Sequence, residues 1–174
     1  GGAAGLNTLV KGALNGATMC ARDPGMLSAA CGEREALRLD DGETRATPEA
    51  KGKSLCGAAG GGFVALVETF LELGADVEFV SGGFTPLQGA ARGGHAGVIE
   101  VLVGAGGAIV DAKRERDGST ALILAAQNGH NKAVEALLRG GADVKAKDID
   151  GFTALLHAAY GHVSAVEALL RGGA

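Results

Sequence analysis

The feature that most constrains this chain is that it nearly repeats itself. The run Asp117-Gly118-Ser119-Thr120-Ala121-Leu122 returns 33 residues later as Asp150-Gly151-Phe152-Thr153-Ala154-Leu155, and the ten residues from Ala133 to Ala142 reappear unchanged as Ala165 to Ala174. A period near this length describes units that cannot bury an apolar face alone and must stack on their neighbours. Such a chain works by offering a surface.

Composition supports stacking. With 47% hydrophobic residues but 3% aromatics and no Trp, a continuous core is available only from Leu, Val, Ile and Ala. Gly accounts for 31 of 174 residues, far above the usual share of about 7%, without a collagen-like period, which points to turns and helix ends. The net charge of −4 comes with no dense basic block, since Arg34, Arg38, Lys51, Lys53, Lys113, Arg114 and Arg116 are scattered, so nucleic acid is not an expected partner. The longest apolar stretch, Phe63 to Leu73, is interrupted by Glu68 and Glu72, so no membrane insertion is expected. Cys20, Cys31 and Cys56 fit neither a disulfide framework nor a zinc knuckle and are read as reduced and intracellular, cytoplasmic by default. The initial Gly in place of Met fits a processed protein or an excerpt. Removal of a targeting peptide would place the chain in a plastid or mitochondrion.

Within the unit from Gly118, Thr120 can cap a first helix whose Leu122, Ala125 and Ala126 make one apolar stripe. Gly129 ends it. A second helix from about Asn131 carries Val134, Leu137 and Leu138 and stops at Gly140-Gly141, leaving Ala142 to Asp150 as a projecting loop. The clearest form of the opening is Gly83-Phe84-Thr85-Pro86-Leu87-Gln88-Gly89-Ala90-Ala91-Arg92-Gly93-Gly94-His95, with Thr85 as N-cap and Pro86 as first helical residue. An earlier unit carries Gly52, Leu55, Ala58-Ala59 and Gly62, followed by Leu66-Val67-Glu68-Thr69-Phe70-Leu71-Glu72-Leu73-Gly74-Ala75-Asp76.

These residues resemble the ankyrin repeat. The resemblance implies an all-α repeat solenoid of stacked ankyrin-type helix-turn-helix units with projecting β-hairpin loops. It divides one domain, 1–174, into a partial leading unit 1–23, a degenerate repeat 24–50, and repeats 51–82, 83–117, 118–150 and 151–174. In the leading part, Leu6 to Leu14 would be a second helix and Ser28 to Glu33 a turn. The spacing from Gly42 to Gly52, equal to that from Gly141 to Gly151, supports the degenerate repeat; an unrelated helical cap is the alternative. The 83–117 unit is long, and Ala159-Tyr160-Gly161-His162 is one residue shorter than Ala126-Gln127-Asn128-Gly129-His130, so both places must depart from the regular stack.

Chemistry-bearing motifs do not converge. Gly52-Lys53-Ser54 has the tail of a phosphate loop, but Thr47-Pro48 stands where that loop needs its first Gly. His95, His130 and His162 recur one unit apart and are read as hydrogen-bonding structural residues. His157 is read as a surface contact. Glu68, Glu100, Glu135 and Glu167 share one position on a solvated outer face rather than lining a metal row. No catalytic group, cofactor, metal or small-molecule substrate is indicated.

For partner binding, the resemblance implies hairpin tips and the exposed side of the first helices. Carried onto this sequence, these are Lys51, Lys53, Ser81, Phe84, Arg92, Arg116, Asp117, Ser119, Gln127, Asn128, Ile149, Asp150, Phe152 and Tyr160. Phe84, Ile149, Phe152 and Tyr160 are the expected anchors, although Phe84 and Phe152 could instead cover the neighbouring hairpin. Gly60, Gly61, Gly89 and Gly93 would let a partner approach the concave face closely. The expected function is a non-enzymatic protein-binding module for scaffolding or recruitment. Its alternatives are a permanently bound subunit of a large assembly and the targeting arm of a larger enzyme or channel.

Overall fold

The computed structural model describes residues 47–174. The expected leading unit, most of the 24–50 repeat, the Leu6–Leu14 helix, the Ser28–Glu33 turn, Cys20 and Cys31 lie outside the described residues. Among those described there are eight helices: α1 Pro48–Gly61, α2 Val64–Glu72, α3 Pro86–Gly93, α4 Ala96–Gly104, α5 Ala121–Gln127, α6 Asn131–Arg139, α7 Ala154–Ala158 and α8 Val163–Arg171. Each odd helix turns back onto the even helix that follows it. Odd helices stack on odd and even on even, giving two layers. The loops between pairs carry isolated bridges, Ser81 with Phe84 and Lys147 with Thr153, rather than strands.

The stripes read from sequence meet between the layers. Leu55, Leu87 and Leu122 from the odd helices, with Val67, Val98, Ile99, Leu102, Val134, Leu137 and Leu169 from the even ones, are fully buried. The Ala pairs 58–59, 90–91 and 125–126 are buried beside them, and their small side chains let successive odd helices approach closely. Thr85 forms a capping box with Gln88: the Gln88 N–H donates to Thr85 Oγ1 at 3.3 Å and Thr85 N–H to Gln88 Oε1 at 3.1 Å. Gln88 is buried, and its amide also donates to Ala112 O at 2.9 Å, which satisfies the polar group and ties α3 to the next loop.

One expectation fails at the start. α1 begins at Pro48, capped by Thr47, whose Oγ1 accepts from Ala50 N–H at 3.2 Å. Gly52 is therefore a buried helical residue packed under Phe79, where a Cβ would come within 2.3 Å of the ring. Gly151, by contrast, is a turn residue at φ 82°. The Gly42–Gly52 spacing thus does not mirror Gly141–Gly151.

Successive units are locked by a recurring His–Gly pair. Gly62, Gly94 and Gly129 each follow an odd helix in the left-handed conformation, at φ 79°, 76° and 71°. A Cβ there would lie 2.5, 2.7 and 2.4 Å from the rings of His95, His130 and His162. Glycine is thus needed both for the backbone angle and for the space the next unit's ring occupies. Each His Nε2 lies 3.0–3.1 Å from a carbonyl oxygen of the preceding unit, that of Gly60, Arg92 or Gln127. A carbonyl only accepts, so Nε2 carries the proton.

Irregular repeat lengths are absorbed without displacing the His rings of this lock. The turn after an even helix closes with a bond from Ala75 to Phe70 O, Ala142 to Leu137 O and Ala174 to Leu169 O, but from Ala108 to Leu102 O in the long unit, one residue wider. Gly107, at φ 65°, accommodates it. The loop tips differ too: Ser81 pairs with Phe84, Asp148 N–H donates to Phe152 O, and Arg114 N–H to Ser119 O, so the long unit also has the longest tip. The shortening near Tyr160 lets His162 N–H bond Ala158 O four residues back, where His130 reaches five back to Ala125.

Gly129→Ala should lower stability by about 2 kcal/mol, because it adds left-handed strain to a collision with His162. Gly104→Ala, whose Cβ would meet nothing within 4 Å, should raise stability by about 0.5–1 kcal/mol. Urea denaturation of both variants measures the contrast.

Candidate functional site

The layer of odd helices, taken as the inner layer, and the loop tips carry the expected contact residues, which the structure divides between surface and interior. Tyr160 is 83% exposed and Ile149 70%. Lys53, Arg92, Arg116, Gln127, Asn128, Asp150 and Phe152 are exposed as well. Lys53 pairs with exposed Glu49 at 2.7 Å, and Asn128 Nδ2 donates to Leu124 O at 2.7 Å, so both side chains are already engaged locally.

Four expected contacts turn inward instead. Ser119 is buried at 4% exposure, because it follows the positive-φ Gly118 directly into the cap of α5. Asp117 is half-buried: its Oδ1 accepts from Arg114 Nε at 2.9 Å and from Ser119 N–H at 3.1 Å, and its Oδ2 pairs with the Arg114 guanidinium. Burial works to raise the Asp117 pKa, yet the bonds from Arg114 and Ser119 outweigh it and hold the carboxyl below its ordinary value. Lys51 reaches across its own unit to donate to Leu73 O at the end of α2, at 2.9 Å. Phe84 is half-buried against two guanidinium groups, Arg92 at 5.1 Å and Arg114 at 4.6 Å from its ring centre, rather than standing as a bare anchor.

His157 is likewise not a surface contact. Its Nε2 lies 2.8 Å from Asp148 Oδ2, and its ring meets Phe152 edge-on at 5.7 Å. Asp148 Oδ1 also accepts from Phe152 N–H at 2.8 Å and Asp150 N–H at 3.1 Å, closing the last described tip. Burial works to raise the Asp148 pKa, but His157 and the two backbone donors lower it further than burial raises it. Sequence reasoning missed this cluster because Asp148 and His157 belong to different parts of the unit. Their nine-residue separation matches no helical or strand period.

The outer carboxylates behave as expected of a solvated face. Glu100 pairs with Arg139 at 2.8 Å and Glu135 with Arg171 at 3.7 Å, each linking one unit to the next. Exposed pairs of this kind contribute little to stability. Among the described residues no group of three or more His, Cys, Asp or Glu could hold a metal ion, and no helix is long and apolar enough to cross a membrane.

Residues that the structure does bring together are Ser81, Phe84 and Arg92. With Cys56, Gly57, Gly60, Thr85, Gly89 and Gly93 they line a cleft of about 370 Å³ between α1 and α3. Cys56 donates its thiol hydrogen to Phe79 O at 3.2 Å along one wall. Of the glycines expected to bare the concave face, Gly60 has open space and Gly89 an ordinary 3.7 Å approach to Gly60 Cα. Gly61 and Gly93 do not fit that expectation. A Cβ on Gly61 would strike Phe63 at 2.6 Å and one on Gly93 would strike His95 at 2.5 Å, so both are small for internal packing.

Comparison with known proteins agrees with this architecture. Family models described as "Ankyrin repeats (3 copies)" and "Ankyrin repeat" match residues 107–174 and 82–115, together just over half of the chain. The ankyrin repeat and KH domain-containing protein mask-1 of Caenorhabditis elegans is 36% identical over 104 residues, covering 60% of this chain and 4% of the nematode protein. The palmitoyltransferase AKR1 of Lachancea kluyveri is 36% identical over 126 residues, covering 68% of this chain and 16% of the yeast protein. An ankyrin repeat protein of Fowlpox virus is 32% identical over 96 residues, covering 53% of this chain and 28% of the viral one. The chain thus spans a small part of the length of each of these relatives.

The Asp148 cluster makes stability depend on pH. A carboxyl whose folded pKa is lowered stabilises fully above its unfolded value, near 3.9, and loses that contribution as pH falls through the folded value. Asp148→Asn should therefore cost about 1–2 kcal/mol at pH 7 and progressively less below pH 4, as urea denaturation across that range will show.

Proposed function

The chain belongs to the ankyrin-repeat family, and on that premise we propose that it is a non-catalytic module that scaffolds or recruits a protein partner through its inner layer and loop tips. Ankyrin repeats generally mediate protein–protein interaction. The observation that carries the reading is the ladder formed by Arg92, Gln127 and Tyr160. They occupy one repeat position at the ends of successive odd helices, and all are exposed. Arg116, Ile149, Asp150 and Phe152 continue the same face onto the tips. A row of exposed aromatic and Arg side chains on a stacked scaffold matches the residue types that dominate binding energy at interfaces.

A second reading, the targeting arm of a larger enzyme, is favoured by the match to the yeast palmitoyltransferase.

Cross-linking mass spectrometry of the chain with captured partners tests the reading. Cross-links should fall on the tip lysines Lys113, Lys145 and Lys147 and spare Lys132 at the start of an outer helix. Tyr160→Ala with Arg116→Ala should weaken capture by about tenfold or more. Cross-links concentrated at Lys132, with capture unchanged by that double variant, would contradict it.

A further inference from the structure

Resting on the binding-module reading, we propose that the cleft between α1 and α3 receives an extended acidic peptide segment, seating a small side chain on its glycine floor and a carboxylate against Arg92. The floor is bare backbone at Gly57, Gly60 and Gly89. At Gly60 nothing among the described residues demands glycine. The residue lies inside α1, its φ is not positive, and a Cβ would meet none of their atoms within 4 Å. Glycine within a helix costs stability relative to alanine, so folding gains nothing from the space left there. A partner main chain can use that space, because with no side chain in the way it can lie directly on the helix surface.

Charge selects the partner. Among the described residues Arg92 is the one charged residue in the lining. Neighbouring cations are already matched, Arg114 by Asp117 and Lys53 by Glu49, whereas Arg92 faces no carboxylate among the described residues. Its guanidinium is held over the Phe84 ring at 5.1 Å, which fixes its orientation without neutralising it. An oriented, unpaired guanidinium at the rim of an apolar wall is suited to a single carboxylate. The half-buried Ser81 adds a hydroxyl on the same rim. Because the cleft is open and at the small end of ligand-site volumes, it would leave much of a compact small molecule in water, but it can grip a few residues of a longer strand.

A displayed library of random peptides, panned against the purified chain, provides the probe, and the most enriched peptide is then titrated by fluorescence anisotropy. Enriched sequences should carry Asp or Glu next to Gly, Ala or Ser, and binding should weaken as salt rises. Gly60→Leu, whose Cβ meets no atom of the described residues within 4 Å and whose longer side chain occupies the cleft, should weaken binding at least about tenfold. Arg92→Gln should weaken it about three- to fivefold and remove most of the salt dependence. Thermal melts of both variants should match or exceed the parent. Enriched peptides without an acidic residue, or binding that ignores both folded variants, overturn the cleft assignment and leave the binding-module reading standing. Failure to enrich any peptide also overturns it, and the cross-links at Lys113, Lys145 and Lys147 then decide the broader reading independently.

Discussion

Everything in this molecule rests on how one repeat grips the next, and the grip is a histidine ring seated over a side-chain-free, left-handed glycine. His95, His130 and His162 fill the space above Gly62, Gly94 and Gly129 and bond a carbonyl of the preceding unit. Each contact joins the end of one odd helix to the start of the next unit's even helix, so it sets the spacing between units as well as holding it. Stability in such an array is a sum of unit and neighbour terms. The apolar stripes supply most of the energy, and the His–Gly contact supplies the register.

That division explains why the repeat lengths vary without loss of stacking. The additional residue at 105–107 and the longer tip at Arg114–Ser119 fall in turns outside the lock, and the shortening before His162 still leaves its ring over Gly129. Variation is therefore concentrated where the chain meets its surroundings. The longest tip carries Arg114 against Phe84, which with Arg92 lines the α1–α3 cleft. An irregularity of spacing has thus become a feature of the surface.

Sequence reasoning recovered what depends on period. The eight described helices fall where the 33-residue echo, the Thr-Pro start and the Gly-Gly stops place them, apart from the start of α1. There the true cap, Thr47-Pro48, lies ahead of the regular position, and the glycine that resembled a turn is buried in the helix. The candidate site was less legible because position in the repeat does not determine exposure. Ser119 and Phe152 hold equivalent places, yet one is buried and the other exposed. Phe84 is drawn in by two arginines, one of them 30 residues away in sequence, and Asp148 and His157 meet through the fold of a tip. Such pairings leave no periodic trace. The bare glycines were visible, but only geometry separates Gly60, which is open, from Gly93, which makes room for His95.

The most direct test of the account is hydrogen exchange read by mass spectrometry on His130→Ala, which removes the central ring while leaving both apolar layers intact. If the lock sets register and couples neighbours, α1–α4 and α5–α8 should lose protection to different extents and unfold in separate steps. Equal, slight loss of protection across all eight helices, with a single transition retained, would contradict the claim that this contact joins the units.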